Sequence, residues 1–317
     1  MKRRNNGNKK IRNFGFGSRD MRYAALNACK QKYLSFSTTH QTSTRFNKFL
    51  TWLESRYEAS DLRDINKNHV KNYSMHLEYL EKNGKLSTAS CHHYLSAVNS
   101  LLQYIRGDNL CCIKLKTDTA IKNRSHVATV NKAAKSLLDV DNERLRILIR
   151  LQRFLGLRFE ESAKINARSA FEHAQIKRKI VISDGTKGGL ARTIPILNND
   201  QIKSLEDASK LQSTHWSLIP KSMSYMEFQS WAYHQNRIGE NFHSNRHYYA
   251  QHRYYKLVGA DCPVKTKKGH GKSHFVYLAE QLDISEDAAK KLDHNARLII
   301  SNELGHKRKS ITNAYLG

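Results

Sequence analysis

The chain has 317 residues, enough for two domains with their own cores, and its 15 glycines and 3 prolines favour helices with short connections over extended disorder. It carries 54 Lys and Arg against 28 Asp and Glu, a net charge of +26, and such a surface favours a polyanionic partner, nucleic acid first of all. We find no long uncharged apolar run and no signal peptide, so a membrane partner is not expected, and the 5 cysteines without a CxxC pair fit a reducing cytoplasm.

Residues 1–37 are predicted to form a basic arm and a leading helix. Lys and Arg are frequent before the first acidic residue, Asp20, and the pattern from Met21 to Tyr33 is helical. A solvated tail and an arm that contacts phosphates are both compatible with this composition.

Residues 38–107 have the apolar periodicity of a small helical bundle. Helical patterns cover 42–57 and 68–82, and a further one runs from the N-cap Ser87 to Arg106. The polar faces of these helices carry basic side chains, which the net charge leads us to assign to DNA contact. The candidates are Arg45, Lys48, Lys71 and His92.

A polar, basic and poorly periodic stretch at 108–132 is predicted to be a linker to a second domain at 133–317. A helical pattern begins near residue 133 and returns at 145–161, where Gly156 breaks it. Further helices are predicted at 199–210, 222–238, 242–258 and 287–303.

The period changes from helical to alternating after Ala170. Residues 176–183 and 191–197 are rich in β-forming side chains and are joined by a glycine-rich turn, which predicts a hairpin with Lys187 at its tip. Residues 259–285 are rich in Gly, Lys and His and are predicted to be an inserted loop.

Nucleotide and metal sites find little support. The segment Gly271–Ser273 resembles the end of a phosphate-binding loop, but the first glycine of that motif would fall on Thr266. His243 and His247 stand four residues apart, as zinc ligands can, but Ser244 replaces the glutamate of a zinc hydrolase. The acidic residues are not paired as two-metal nucleases require, so neither a metal nor a cofactor is predicted.

What remains is a set of cations and one phenol near the end of the chain. Two guanidiniums can hold a phosphate through paired, charge-assisted hydrogen bonds, and a lysine can protonate a leaving 5′ oxygen. A tyrosine in this position usually belongs to a frayed tail or packs on the last helix, and the cations favour a nucleophile instead. The set comprises Arg158, Lys187, His243, Arg246, His306 and Tyr315.

Five short motifs, in an order that ends on the tyrosine, resemble those of the tyrosine recombinases, the family of phage-type integrases, Xer proteins and their relatives. Gly156–Glu161 is similar to the first catalytic-arginine motif, and Thr186–Gly189 to the catalytic-lysine hairpin. His243–His247 is similar to the His-x-x-Arg box, and Leu304–His306 followed by Tyr315 matches the closing motif at its usual spacing. The resemblance covers about residues 40–317.

The resemblance implies a mainly α fold with a small antiparallel β-sheet, in which a helical SAM-like core-binding domain precedes a catalytic domain. It implies that Tyr315 forms a 3′-phosphotyrosyl link while Arg158 and Arg246 bind the phosphate. Lys187 would protonate the 5′ oxygen, His243 and His306 would assist, and Glu161 would support Arg158. Arg192, which follows the lysine motif on the returning strand, is added to the predicted DNA contacts.

The implied activity is site-specific DNA recombination without ATP or metal. The family implies four protomers around two DNA duplexes, a nucleoid-associated location, and the integration or excision of a mobile element. Two alternatives stay open: a DNA topoisomerase of type IB, which uses similar residues, and a non-catalytic DNA-binding protein on the same fold.

Two departures from the family pattern stand out. Asn245 occupies a position where the family usually has leucine, which predicts altered packing under that helix. The spacing between Arg246 and His306 is longer than usual because of the segment 259–285, which is predicted to contact DNA or a neighbouring subunit. Since the sequence ends shortly after Tyr315, docking between protomers is expected to use another surface, such as this segment, or to be absent.

Overall fold

The computed structural model describes residues 8–122, 140–235, 241–306 and 308–317, with the Lys187 side chain left out. The chain forms two compact units, 1–125 and 126–317. The described parts are mostly helical with one two-stranded antiparallel sheet, which confirms the predicted fold class. None of the described helices is both long and apolar enough to cross a membrane.

The first unit is a helical bundle. Its helices are α1 (Met21–Lys32), α2 (Phe36–Glu54), α3 (Lys67–Lys82), α4 (Thr88–Arg106) and the short α5 (Leu115–Asp118). Apolar residues at helical spacing bury one stripe of each long helix, as Phe46, Phe49 and Leu53 do on α2. The side chain of Ser87 caps α4 and Gly107 ends it in the left-handed conformation, both as predicted.

The first unit extends beyond the predicted bundle at both ends. Phe14 and Phe16 are buried in its core, so the described part of the arm packs on the bundle and is not a solvated tail. Ile113 and Ile121 belong to the same core, so residues 108–122 are also part of this unit. The remaining predicted linker residues, 123–132, lie outside the described residues.

The second unit begins with helices and a hairpin. Helix α6 (Glu143–Leu155) is followed by α7 (Phe159–Lys164), α8 (Ala167–Lys177), β1 (Lys179–Ile182), β2 (Arg192–Pro195), α9 (Asn199–Gln212) and α10 (Tyr225–Gln235). The strands pair in a register that places Lys179 opposite Pro195 and Ile182 opposite Arg192. The predicted strand start at Ile176 is wrong, because α8 continues to Lys177 and ends at Arg178 with φ of 51°.

The remaining helices carry the second half of the unit: α11 (Phe242–Val258), α12 (Pro263–Thr266), α13 (Lys272–Leu282), α14 (Glu286–Glu303) and α15 (Asn313–Leu316). The predicted loop 259–285 therefore contains two helices. Cys262 and Leu278 from this segment share a buried core with Ile300 of α14 and Leu316 of α15. The segment is an integral part of the second unit.

Candidate active site

Gly156 sets the direction in which the chain enters the site. It ends α6 with φ of 63°, a conformation that glycine adopts without cost. A Cβ at this position would lie 2.6 Å from Cδ1 of Tyr249. Arg158 follows as the N-cap of α7, and its backbone N–H donates to Oε2 of Glu161 at 2.6 Å. This local geometry holds Arg158 in a half-buried position.

Glu161 is the acid around which the cations are arranged. Its carboxylate is fully buried and accepts from Nη1 of Arg158 at 2.5 Å and from both terminal nitrogens of Arg192 at 2.6 Å. Burial alone would raise the pKa of this carboxyl, but the hydrogen bonds and charge of Arg192, and then of Arg158, hold it below the ordinary value. The Glu161 carboxylate therefore binds the guanidinium groups of both Arg158 and Arg192.

Arg192 is predicted to contact DNA, and the structure places its side chain inside the second unit. Only 7% of the residue is exposed, and its Nε donates to the backbone oxygen of Glu303 at 2.8 Å. The reason is strand alternation, since Arg192 and Ile194 of β2 face the core while Thr193 between them is exposed. Arg192 is therefore a buried cation paired with Glu161, and its contact with DNA stays a prediction.

Arg246 lies at the centre of the site on α11 and is fully buried. Its terminal nitrogens donate to the backbone oxygens of Gly156 and Leu304, and Nη2 of Arg158 donates to the same Leu304 oxygen at 3.3 Å. Leu304 is the C-cap of α14, where carbonyl groups point away from the helix and favour cations. Burial lowers the pKa of Arg246 to about 10, which leaves it protonated at neutral pH.

Tyr315 on α15 completes the group. Its ring is buried, and its hydroxyl lies 3.3 Å from Nε of Arg246 and 3.3 Å from Nε2 of His306. His306 is held by the turn at Gly305, where φ is 70°, and by a hydrogen bond from its backbone N–H to the oxygen of Ser301 at 2.8 Å. The structure thus brings the predicted nucleophile, the second arginine and the second histidine together.

Two histidines of α11 form a wall of this site. The ring centroids of His243 and His247 lie 5.7 Å and 4.7 Å from that of Tyr315. From the sequence, His247 belongs to the His243–His247 motif and is rejected as a zinc ligand, and it is not predicted to line the site. Its spacing of four residues from His243, which places both on one face of a helix, is the signal that could have identified it. Among the described residues, no group of three or more His, Cys, Asp or Glu could hold a metal ion.

Burial and the positive charge of the site lower the pKa of two of its histidines. Burial, followed by the neighbouring His247 and Arg246, lowers the pKa of His243 to about 4. Burial and then Arg246 lower the pKa of His306 to about 4. Both rings are therefore neutral at pH 7 in the protein without DNA. A bound anion would favour their protonated forms again, since it opposes the surrounding positive charge.

Lys187 lies in the turn between β1 and β2, where residues 187–189 form a single 3₁₀ turn. Its side chain is outside the described part of the structure, so its catalytic assignment stays a prediction. Gly185 at the base of the turn packs closely on α7, since a Cβ there would lie 2.8 Å from the backbone of Glu160. This contact brings the hairpin turn next to the helix that Arg158 begins.

The DNA-contact candidates of the first unit lie on three helices. Lys48 on α2 and Lys71 on α3 are exposed, and the ammonium of Lys48 lies 5.6 Å from the ring centroid of Tyr94. Arg45 is half-buried and donates to Oε1 of Gln41 at 3.3 Å. His92 is half-buried, with Nε2 2.8 Å from the Lys122 backbone oxygen. Their role in DNA contact stays a prediction.

Comparison with known proteins shows which proteins this chain is similar to. A family model described as Integrase matches residues 116–254, whereas a search of curated protein sequences found no match. The integrase of transposon Tn1549 in complex with a circular intermediate DNA has a similar fold, with a TM-score of 0.57 and 12% identity, covering 95% of this chain and 96% of that chain.

Lambda integrase shares the fold as well. A dimer bound to a core site gives a TM-score of 0.54 at 14% identity, covering 92% of this chain and 75% of that one. A tetramer bound to a Holliday junction gives 0.51 at 14% identity, covering 78% and 76%. The integrase family model over residues 116–254 and the fold shared with the Tn1549 and lambda integrases indicate that this chain is similar to the tyrosine recombinases.

Proposed function

We propose that this protein is a site-specific DNA recombinase that cleaves and rejoins DNA through a covalent bond to Tyr315. The observation that carries the proposal is the placement of the Tyr315 hydroxyl, 3.3 Å from both Nε of Arg246 and Nε2 of His306. A phenol between a fixed cation and a neutral imidazole has a donor for its developing charge and an acceptor for its proton.

In the proposed reaction, the Tyr315 oxygen attacks the phosphorus of a DNA phosphodiester. The bond from phosphorus to the 5′ oxygen breaks, the new ester bond to the tyrosine forms, and the phosphorus stays attached to the 3′ oxygen. His306 accepts the phenolic proton, and Lys187 supplies a proton to the departing 5′ oxygen. One ester replaces another, so the reverse attack by a 5′ hydroxyl can rejoin a strand without ATP.

The two arginines have different tasks in this scheme. Arg158 keeps 22% of its side chain exposed and can donate to a phosphate oxygen from the open side of the site. Arg246 is buried, and its terminal nitrogens already donate to two backbone carbonyl oxygens, which hold its guanidinium in place. It would therefore bind the phosphate on the side that faces Tyr315. Such preorganised donors stabilise charge that spreads over the non-bridging oxygens in the transition state, usually the largest catalytic contribution. His243 adds a donor at the edge of the site.

Double-stranded DNA is the proposed partner. The net charge of +26 and the exposed Lys48 and Lys71 support it, as do the DNA complexes of the Tn1549 and lambda integrases. The lambda integrase tetramer on a Holliday junction supports four protomers in synapsis, and the transposon origin of the Tn1549 protein supports a mobile element as the substrate. A nucleoid-associated location follows from the same partner.

The direct test is Tyr315→Phe. The variant keeps the buried ring and removes only the nucleophile, so it should bind DNA with unchanged affinity and form no covalent adduct on nicked suicide substrates. These substrates are built from DNA flanking the gene, after footprinting identifies the bound site. Tyr255→Phe, at an exposed tyrosine of α11, is the matched control and should form adduct normally.

Each competing function has its own outcome in these assays. Adduct formation by Tyr315→Phe would assign the nucleophile elsewhere. Relaxation of plasmids that lack the footprinted site would favour the type IB topoisomerase. DNA binding by the native protein without any covalent complex would favour the non-catalytic DNA-binding protein.

A further inference from the structure

A chain of buried polar side chains runs beside the candidate site without taking part in it. Tyr254 of α11, His274 of α13, and Asp293 and Arg297 of α14 are each no more than 2% exposed. The Tyr254 hydroxyl lies 2.7 Å from Oδ1 of Asp293 and 3.0 Å from Nε2 of His274. Buried polar groups are costly unless they are satisfied, so a network of this size needs an explanation.

The donors and acceptors in this network have one consistent assignment. The Tyr254 hydroxyl has a single proton, which it donates to the ionised Asp293, so it accepts from an Nε2–H of His274. Burial lowers the pKa of His274 to about 4, in agreement with a neutral ring. Asp293 also accepts from Nε of Arg297 at 2.9 Å and 3.0 Å, and His270 faces its other side at 3.6 Å.

The far end of the network holds the helix that carries the nucleophile. Nη1 of Arg297 donates to Oδ1 of Asn313 at 3.0 Å, and Nη2 donates to the backbone oxygen of Gly317 at 3.0 Å. Asn313 is the first residue of α15 and Gly317 is its C-cap, so the two acceptors lie on either side of Tyr315. The backbone oxygen of Tyr315 accepts in turn from Nε2 of Gln251 at 3.1 Å. Arg297 thus forms hydrogen bonds at both ends of α15.

Helix α15 depends on such contacts for its position. It has four residues, a single turn, and an isolated helix of that length is not stable in water. Helix α12 also touches it, since a Cβ at Gly317 would lie 2.9 Å from the backbone nitrogen of Val264. The segment 259–285, which was predicted to reach DNA or a neighbour, therefore packs on the nucleophile helix of its own chain.

We propose that Arg297 is a positioning residue for Tyr315, and that residues 263–282 act on the nucleophile of the same chain through His274, Tyr254 and Asp293. This inference rests on the proposed function, because it concerns the same tyrosine. Its physical basis is that a reacting atom displaced by about 1 Å can lose about 100-fold in rate. The hydrogen bonds from Arg297 to α15 and its C-cap determine how often the Tyr315 hydroxyl is positioned for in-line attack on the phosphate.

The first test changes Asn313. This residue is exposed, although its Oδ1 accepts a hydrogen bond from Arg297. Asn313→Ala removes one acceptor and leaves Arg297 paired with Asp293. We expect faster amide hydrogen exchange in residues 313–317 and an adduct formed about 10-fold more slowly, at unchanged DNA affinity and melting temperature. Asn313→Asp keeps an acceptor oxygen and should restore both values, and Ala314→Ser on the exposed side of α15 is the control.

The second test interrupts the network one step earlier. Tyr254→Phe removes the hydroxyl that joins His274 to Asp293 and keeps the ring. If the segment acts through this hydroxyl, exchange in 313–317 rises and adduct formation slows as in Asn313→Ala. Unchanged exchange and rate in Tyr254→Phe would overturn the role of the segment, and the same result in Asn313→Ala would overturn the role of Arg297.

The two readouts separate this inference from the proposed function. If the native protein forms no adduct with its footprinted site, the proposed function fails, and the exchange measurement still decides whether Arg297 holds α15. If the native protein forms adduct while the exchange of 313–317 is equal in all variants, the function stands and the positioning inference fails.

Discussion

At the scale of single residues, the buried carboxylate of Glu161 depends on its ion pair with Arg192. Arg192→Gln removes the partner that binds both oxygens of Glu161, and breaking a buried ion pair typically costs about 3–5 kcal/mol. We expect the free energy of unfolding of the second unit to fall by about that amount. Chemical denaturation measures it, and Arg178→Gln, at an exposed arginine before β1, should change it little. Equal stability of the two variants would contradict the structural role.

The histidines of the site give a pH dependence with a definite sign. The pKa of His243 and of His306 is about 4 in the folded protein against 6.5 for an ordinary histidine. The unfolded chain therefore binds more protons between these values, so stability is complete above pH 6.5 and is lost as pH falls towards 4. Denaturation midpoints from pH 7 to 4.5 test this. In His306→Gln the loss of stability between pH 7 and 4.5 should be smaller than in the native protein. An equal loss would contradict the role of His306 in this pH dependence.

The sequence allowed some of these residues to be placed and not others. Arg158, His243, Arg246, His306 and Tyr315 stand in short motifs whose spacing is local, and the structure gathers them around the Leu304 carbonyl and the Tyr315 hydroxyl. Arg192 could not be placed, because the direction of a side chain on a strand depends on register, and a shift of one residue reverses it.

At the scale of elements, the turn at Gly156 is where a small change should move a helix. Gly156→Ala imposes two costs: the strain of a left-handed φ of 63° and a Cβ at 2.6 Å from the Tyr249 ring. We expect lower stability of the second unit and slower adduct formation, because Arg158 follows two residues later. Gly189→Ala has a φ of 70° but nothing within 4 Å, so it carries the strain alone.

The difference between these two glycine variants isolates the clash. Strain at a left-handed position costs about 1 kcal/mol, so Gly189→Ala should destabilise by roughly that amount and Gly156→Ala by more. Chemical denaturation of both variants gives the comparison. Equal losses would mean that Tyr249 moves aside and that Gly156 is required for its φ alone.

Element boundaries were predicted well where the signal is local. Ser87 and Gly107 delimit α4 because capping and left-handed closure depend on neighbouring residues. The packing of Phe14 and of Ile121 into the first core could not be predicted, since irregular segments have no periodicity and their burial depends on contacts distant in sequence. The helices within 259–285 were missed because the Gly- and Lys-rich composition resembles that of a loop.

At the scale of the whole molecule, the net charge of +26 bears on affinity more than on stability. Each phosphate that a lysine neutralises releases counterions, so the logarithm of the binding constant falls with the logarithm of salt concentration by about 0.9 per contact. Lys48→Gln and Lys71→Gln should each reduce that slope by about 1 and weaken binding to all sequences alike.

The matched control for this prediction is Lys210→Gln on α9. Lys210 is exposed like the other two lysines, but its ammonium lies 2.6 Å from Oε1 of Glu206, so its charge is already paired within the protein. We expect an unchanged salt slope, measured by fluorescence anisotropy on one duplex at several salt concentrations. If the salt slope falls by the same amount in all three variants, the charge acts as a diffuse field over the whole surface. If only Lys48 and Lys71 lower it, the first unit contacts the phosphates through α2 and α3, because counterion release counts contacts and not total charge.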